Sequence, residues 1–505
     1  MPKSNLNLLF IMADQLAPQF LPAYGHSVVR TPNIDKICEQ GVVFDAAYTN
    51  FPLCAPSRYS MMTGCLPANI DAWDNAAELS SEVPTFAHYL SSLGYHTCLS
   101  GKMHFCGPDQ LHGFDQRLTT DVYPADFTWT PNWDEPERVY AWFHTMDVVR
   151  EAGVCYRSNN LDYDDEVTFQ AKRHLYDKAR ESDANPFCLV VSYIHPHDPY
   201  INRAQYRNLY KIDGIDLPQV RFEDVPEDDH SARLRIGVGM DQAELTEQQI
   251  LNARHAYYSS VSYIDEKIGE LLEVLHESGF SDNTVIIFTA DHGDMLGERG
   301  LWFKMSWFEH SARVPLVVSY PPAIGPCRSR DAVSLIDLLP TLVDIATDGR
   351  GIEYQAIMDG RSLMPQLSGS TGHDEVIGQY LAEMTTEPVF MVRSGGKKFV
   401  LCANDPPLYF DLYNDPLELN NLAVDPSSQE AIDAVWSQIR SRWNIETMKK
   451  KILQSQRRRH TINPTLVKQN KSWDYAPETD AARTYIRNNL ELYEIERRSR
   501  FPAIK

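Results

Sequence analysis

Apolar residues gather in short unbroken runs along this chain, and each run is closed by a polar cluster. LNLLFIMA at 6–13 ends at Asp14, and HTCLS at 96–100 runs into Gly101-Lys102-Met103-His104. FCLVVSYI at 187–194 precedes His195-Pro196-His197-Asp198-Pro199, and TVIIFTA at 284–290 precedes Asp291-His292-Gly293-Asp294. Runs without alternation predict strands buried on both faces, as in a parallel or mixed central sheet. Helical spacing separates them. Residues 84–95 form one such segment. Residues 246–279 form a longer one, with Ile250, Tyr257, Val261, Ile264, Ile268 and Leu271 on one side. A third, 334–346, carries Pro340, which belongs in a first turn or at a kink. Strands alternating with helices predict an α/β sandwich: a large mixed central sheet flanked by helices. Ligands of such sheets sit beyond the carboxyl ends of the strands, where all four polar clusters fall.

The texture changes near residue 375. Residues 389–402 predict a hairpin turning at Gly395-Gly396, and 409–423 add a strand and a turn. The chain is therefore divided into a catalytic domain (1–375), a smaller C-terminal α+β region built on an antiparallel sheet (376–445) and an extended tail (446–505). The tail carries KKK at 449–451 and RRR at 457–459. It is read as a solvated helical face, or alternatively as an arm that wraps a neighbouring subunit.

Charge and cysteine usage narrow the function. The net charge of −22 over 505 residues argues against nucleic acid or anionic lipid as partner and draws cationic substrates. No apolar run approaches the ~18 residues of a membrane span, and the first run reads as a strand rather than a signal peptide. Nine irregularly spaced cysteines without a CxxC predict no disulfide framework and a cytoplasmic protein.

The sharpest chemical feature is Cys54-Ala55-Pro56-Ser57-Arg58, followed by Thr63-Gly64. Pro56 suits a helix first turn, which puts Cys54 at a helix N-terminus. There the dipole lowers a thiol's pKa and makes it reactive. The alternative is a buried structural cysteine. Asp14, Asp291 and His292 at strand ends suggest a site for a divalent cation. Arg58, Lys102 and Lys304 are cations able to converge on an anion. His104 and His197 are candidates for acid–base work near neutral pH, and His195 is expected to be structural.

Together these residues closely resemble the type I sulfatases of the alkaline phosphatase superfamily. CAPSR fits their C-x-P-S-R signature with its following T-G, GKMH fits G-K-x-H, HPHDP resembles P-H-x-P, and DHGD stands where they carry D-N-G or D-H-G. The long stretches 73–90, 100–131, 195–200 and 291–316 resemble the choline sulfatase branch in particular. The resemblance implies an alkaline phosphatase-like fold and conversion of Cys54 to formylglycine by a formylglycine-generating enzyme. It implies a divalent metal, Ca²⁺ first and Mn²⁺ or Mg²⁺ as alternatives, held by Asp14, Asp291, His292 and residue 54. Gln15 stands where many sulfatases have a second acid, and can offer a carbonyl oxygen.

By the same resemblance Arg58 and His104 hold and activate the nucleophile. Lys102, His197 and Lys304 bind sulfate oxygens, with His197 the first candidate to protonate the leaving oxygen and Lys304 the second. A choline cation is recognised by aromatic faces and carboxylates. Trp129 and His144 are expected in that pocket, with Glu383 supplying charge and Asn75 at the sulfate end. Tyr493, flanked by Glu491 and Glu494, falls where a neighbouring subunit's tail contributes in that branch, which implies a homodimer or homotetramer. The implied reaction is hydrolysis of choline sulfate. The alternatives are a phosphonate monoester or phosphodiester hydrolase, a broad arylsulfatase, or a choline-binding protein without catalysis.

Overall fold

The computed structural model describes residues 6–136, 138–181, 185–320, 325–478 and 491–502. Its large sheet has nine strands: β1 (Asn7–Asp14), β2 (Val42–Tyr48), β3 (His96–Gly101), β4 (Gln116–Arg117), β5 (Phe187–Pro196), β6 (Thr284–Ala290), β7 (Arg313–Val314), β8 (Leu316–Ser319) and β9 (Cys327–Ser334). The order is β9-β2-β8-β6-β1-β5-β3-β4, with β7 beside β2. β1 pairs in parallel with both β5 and β6, and β3 in parallel with β5. β8 runs antiparallel to its neighbours β2 and β6, so the sheet is mixed. β1 is buried along its whole length, as expected of a central strand covered on both faces. The parallel set β6-β1-β5-β3 brings Asp291, Asp14, His197 and Lys102 to one edge of the sheet.

The helices follow from local signals. α1 (Cys54–Thr63) begins at Cys54 and ends on Gly64 at φ +66°, a left-handed conformation that glycine adopts without a Cβ penalty. α2 (Phe86–Ser92) starts after a Thr85/His88 capping box. α3 (Asn159–Arg180) was not anticipated from the sequence. α4 (Glu247–Glu277) opens on a Thr246/Gln249 capping box, in which each side chain satisfies the other's backbone N–H. The segment expected around Pro340 is a 3₁₀ turn (Leu335–Asp337) that leads into α5 (Leu338–Thr347), with Pro340 in the first turn.

A second sheet is antiparallel: β10 (Glu375–Tyr380), β11 (Val389–Ser394), β12 (Lys397–Cys402) and β13 (Leu408–Asp411), with the hairpin at Gly395-Gly396. It is stitched to the loop before Cys54. Gln379 N–H donates to the Asn50 carbonyl at 2.9 Å, and Asn50 Nδ2 donates to the Ile377 carbonyl at 2.8 Å.

The basic stretch of the tail lies in α6 (Ile445–Lys468). Its expected role as a purely solvated face is corrected, because the helix packs on its own chain. Lys449 pairs with Glu387, Arg457 with Asp134 at 2.7 Å, and the buried Arg459 with the buried Asp74. α7 (Leu492–Ser499) follows, and Phe501 meets Tyr176 of α3, with ring centroids 5.7 Å apart. Among the described residues no helix is long and apolar enough to cross a membrane. All nine cysteines are free.

Candidate active site

Cys54 is the first residue of α1, where backbone N–H groups lack helical partners. One of them, Ala55 N–H, donates to Asn75 Oδ1 at 2.9 Å, which fixes Asn75 beside the cysteine. Cys54 Sγ lies 3.2 Å from His292 Nε2 and 3.9 Å from Asp14 Oδ1. The lowered thiol pKa expected at a helix N-terminus is corrected here. Burial, reinforced by Asp14, pushes the thiol up to about 11, against the pull of Lys102 and Lys304. The unmodified side chain is therefore a neutral thiol near neutral pH and a poor nucleophile.

Ligand atoms of Asp14, Cys54, Asp291 and His292 all lie within 4.8 Å of one another. Their outward atoms are already engaged. Arg58 Nη2 donates to Asp14 Oδ2 and Arg58 Nε to Asp291 Oδ2, each at 2.8 Å, and Lys102 Nζ also pairs with Asp14 Oδ2. His292 Nδ1 faces the Gly293 carbonyl at 3.0 Å, which fixes the tautomer that leaves Nε2 bare. Asp14 Oδ1, Asp291 Oδ1, His292 Nε2 and residue 54 thus converge on one point. This mixed oxygen–nitrogen set fits a divalent cation. Burial would raise the Asp14 carboxyl, but Lys102, His197, Arg58 and His292 hold it well below the usual carboxylate range.

Arg58 is fully buried and spends its guanidinium on the two carboxylates, the Lys102 carbonyl and Ser192 Oγ. It therefore stands behind the carboxylates, positioning them, and does not line the substrate cavity. Lys102 is equally buried, its ammonium 4.1 Å above the Tyr123 ring centroid. Gln15 Oε1, expected to face the metal, accepts from Lys304 Nζ at 2.7 Å, and Gln15 Nε2 donates to Asp294 Oδ2 at 2.7 Å. Lys304 Nζ is also 2.6 Å from His197 Nε2, and His197 Nδ1 is 2.8 Å from the Asp198 carbonyl. Burial and then Lys304 hold His197 well below its ordinary range, so it is neutral and accepts from Lys304. In this contact Lys304 is the donor and His197 the acceptor.

His104 is buried, pushed down to about 3 by burial and then Lys102, and its two ring nitrogens have no hydrogen-bond partner among the described residues. His195 is structural as expected, with Nδ1 2.7 Å from Asp164 Oδ2. Non-glycine residues with positive φ cluster here: Gln15 (62°), His104 (63°), Phe303 (66°) and Met305 (73°), the last two flanking Lys304. Such strain persists where surrounding contacts over-determine the backbone.

A cavity of about 290 Å³ opens over Cys54. Asn75, His197 and Lys304 line it near the cysteine, and Trp129, His144 and Glu383 also line it. Tyr493 does not; it is 65% exposed on α7. The cavity also takes Tyr123, Trp142, Phe143 and Asp198, which the sequence reading did not assign. Trp129 and Trp142 are stacked, with centroids 6.3 Å apart. The density of aromatics between residues 123 and 143 was the available signal. Despite burial, Asp198 is held well below the carboxylate range by His197 and His144, and His144 Nδ1 lies 3.4 Å from its Oδ2. Glu383 behaves oppositely: burial, with Asp74 adding to it, pushes its carboxyl up to about 8.

Residues 6–348 match the family model described as Sulfatase. The chain belongs to the sulfatase family. It is a sulfuric ester hydrolase with the alkaline phosphatase-like fold. Sulfatases generally work with a formylglycine and a divalent metal, and the cluster at Cys54 is a possible metal site of this sulfatase. Residues 450–501 match the model described as Choline sulfatase enzyme C terminal, and 297–444 match N-sulphoglucosamine sulphohydrolase, C-terminal. The chain is 42% identical to the choline-sulfatase of Rhizobium meliloti (strain 1021), covering 98% of both chains. It is 28% identical to an arylsulfatase of Clostridium perfringens, covering 85% of this chain and 92% of that one. In structure it is similar to a phosphonate monoester hydrolase of Agrobacterium radiobacter (TM-score 0.69, 22% identity, 86% of this chain and 95% of the other).

Proposed function

We propose that this sulfatase hydrolyses choline sulfate to choline and inorganic sulfate. The observation that carries the reading is that one cavity joins the Cys54 helix terminus to an aromatic wall and two carboxyl groups. Trp129, Trp142 and Phe143 offer ring faces to a quaternary ammonium, which cannot donate hydrogen bonds. Asp198 gives a fixed negative charge, and Glu383 gives one that develops near pH 8. The 42% identity to a choline-sulfatase supports the same substrate.

Cys54 is proposed to be matured by a formylglycine-generating enzyme into an aldehyde whose hydrate offers two hydroxyls, one to attack sulfur and one to expel sulfate afterwards. A divalent cation, Ca²⁺ before Mn²⁺ or Mg²⁺, would be held by Asp14, Asp291, His292 and residue 54, while Gln15 spends its oxygen on Lys304 instead. The cation would supply positive charge at the reacting oxygens. Arg58 keeps both carboxylates turned inward. Lys304, whose ammonium is aimed by Gln15 Oε1 and His197 Nε2, protonates the choline oxygen as the S–O bond breaks. Asn75, anchored on Ala55 N–H, holds the sulfate end together with Lys102 and His197. His104, with both ring nitrogens unpartnered among the described residues, accepts a hydrogen bond from the second hydroxyl, while burial and Lys102 disfavour its full protonation.

The nine free thiols are compatible with a cytoplasmic location. The division at residues 375 and 445 stands as a proposal, supported by the small antiparallel sheet and by α6 beginning at Ile445. Tyr493, exposed on α7, is proposed to meet the cavity of a second subunit in a homodimer or homotetramer.

The test is a pH profile. An ionised Glu383 attracts choline, whereas a protonated one does not. The ratio of kcat/KM for choline sulfate to that for an aryl sulfate without a cationic group should therefore rise with pH through a midpoint near 8. Glu383→Gln should flatten that rise. A wild-type ratio that ignores pH, or a Glu383→Gln profile that keeps the rise, removes Glu383 from the cation site.

A further inference from the structure

The loop that carries Trp129 has no regular secondary structure of its own around the tryptophan. What holds it is α6. Arg459 Nη1 and Nη2 grip Asp74 Oδ1 and Oδ2 at 2.5 and 2.7 Å, and Nη1 also donates to Thr130 Oγ1 at 3.2 Å. Three positions earlier on the helix, Gln456 Oε1 accepts from Trp133 N–H at 2.9 Å, and Trp133 Nε1 donates to the Ala382 carbonyl at 2.7 Å, one residue before Glu383. His460 Nε2 lies 3.0 Å from the Pro131 carbonyl. One face of α6 thus binds residues 130, 131 and 133 directly and reaches 382 through Trp133. Trp129 and Glu383 border those positions, and both line the cavity.

Electrostatics points the same way. Asp74 is fully buried and Arg459 is 5% exposed. A buried carboxylate needs a hydrogen-bonded counter-ion, and a guanidinium fork fills that need with two parallel bonds where a lysine cannot. The Asp74 charge is close enough to raise the Glu383 carboxyl, so its neutralisation also sets the field at the cation end. Asn75 at the sulfate end follows Asp74 in the chain and has its own anchor, the Ala55 N–H on its Oδ1.

We propose that Arg459 is a positioning residue for the cation wall of the cavity. By clamping Asp74 and Thr130 it fixes Trp129, and with Gln456 and Trp133 it fixes the approach of Glu383. The C-terminal segment then builds substrate specificity within its own subunit, whatever a second subunit adds. This inference rests on the choline sulfate reading, and the test separates the two.

Matured wild type, Arg459→Lys and the charge-balanced pair Arg459→Met/Asp74→Asn are assayed with choline sulfate and with nitrophenyl sulfate. Arg459→Lys keeps the charge but loses the fork; the pair removes the fork without stranding a charge. In both, KM for choline sulfate should rise about tenfold, the size of one buried coupling. Turnover of nitrophenyl sulfate, which reports an intact fold and nucleophile, should change less than about threefold. Parallel losses on both substrates, or unchanged KM for choline sulfate, would overturn the role of Arg459. A wild type that does not prefer choline sulfate would remove the substrate reading and this inference together; a preference of undiminished wild-type size in both variants removes the inference alone.

Discussion

Cys54→Ser should lower steady-state turnover of sulfate esters by about a thousandfold or more, the scale seen when a nucleophile is removed. The reason lies in the count of hydroxyls. A hydrated aldehyde at position 54 has two on one carbon. The first displaces the alcohol from sulfur and retains the sulfuryl group as an ester. The second loses its proton, the C=O bond re-forms and the C–O bond to sulfate breaks. A serine has one hydroxyl, so it can be sulfated but has no internal route to release. The variant should therefore accumulate a covalent sulfate ester, visible as a mass increase on the peptide 54–58 after incubation with substrate. The environment favours this first step even without the aldehyde, since Asp14, Arg58 and Lys102 remain in place. Sustained multiple turnover by Cys54→Ser would refute the aldehyde chemistry.

The second large effect is expected at Asp14. Asp14→Asn keeps the shape of the side chain but removes the charge that faces Arg58, Lys102 and the proposed metal. Two buried cations then compete for Asp291 alone. Breaking a buried ion pair from one side costs about 3–5 kcal/mol, and part of that cost is avoided if Lys102 gives up its proton. The ligand set also loses one of its two carboxylates. Metal content of the purified protein, measured by elemental analysis, should fall well below that of wild type, and kcat should drop about a hundredfold or more. An Asp14→Asn protein that keeps a full complement of metal and wild-type kcat would show that Asp14 is only a structural counter-ion.

How much of this was legible in the sequence depended on whether the signal was local. The strand ends could be read because a buried parallel strand needs an unbroken apolar run, and the polar residue that ends the run is where the strand leaves the core. That logic placed Asp14, Lys102, His197 and Asp291 on one edge of a sheet before any pairing was known. Pro56 marked the first turn of α1, and Gly395-Gly396 marked a hairpin, for equally local reasons. Trp129, His144 and Glu383 were reached through resemblance rather than pattern. Their loops have no period, and 239 or more positions of chain separate the last from the others.

Burial was what the sequence concealed. A helix N-terminus lowers a thiol's pKa only when solvent or a cation outweighs desolvation, and Cys54 is buried beside a carboxylate, so its thiol goes up. Arg58 looked like an anion-binding cation because its two carboxylate partners come from β1 and from the loop after β6, hundreds of residues apart in the case of Asp291. His197 looked like a proton donor because nothing local reveals that Lys304 donates to it. The tail looked solvated because its helix exposes many of its basic residues, while Gln456 and Arg459 on the other face are buried against loops that precede it by more than 300 residues.

The most direct measurement is a specificity ratio on matured protein: kcat/KM for choline sulfate, for nitrophenyl sulfate and for a phenyl phosphonate ester. The arrangement of Trp129, Trp142, Asp198 and Glu383 beside Cys54 predicts that choline sulfate is preferred by about a hundredfold or more, despite its poorer leaving group, because the cation contacts add to the reacting-centre contacts. A preference for the aryl sulfate or the phosphonate would leave the fold and the nucleophile in place and would contradict the cavity's assignment to choline.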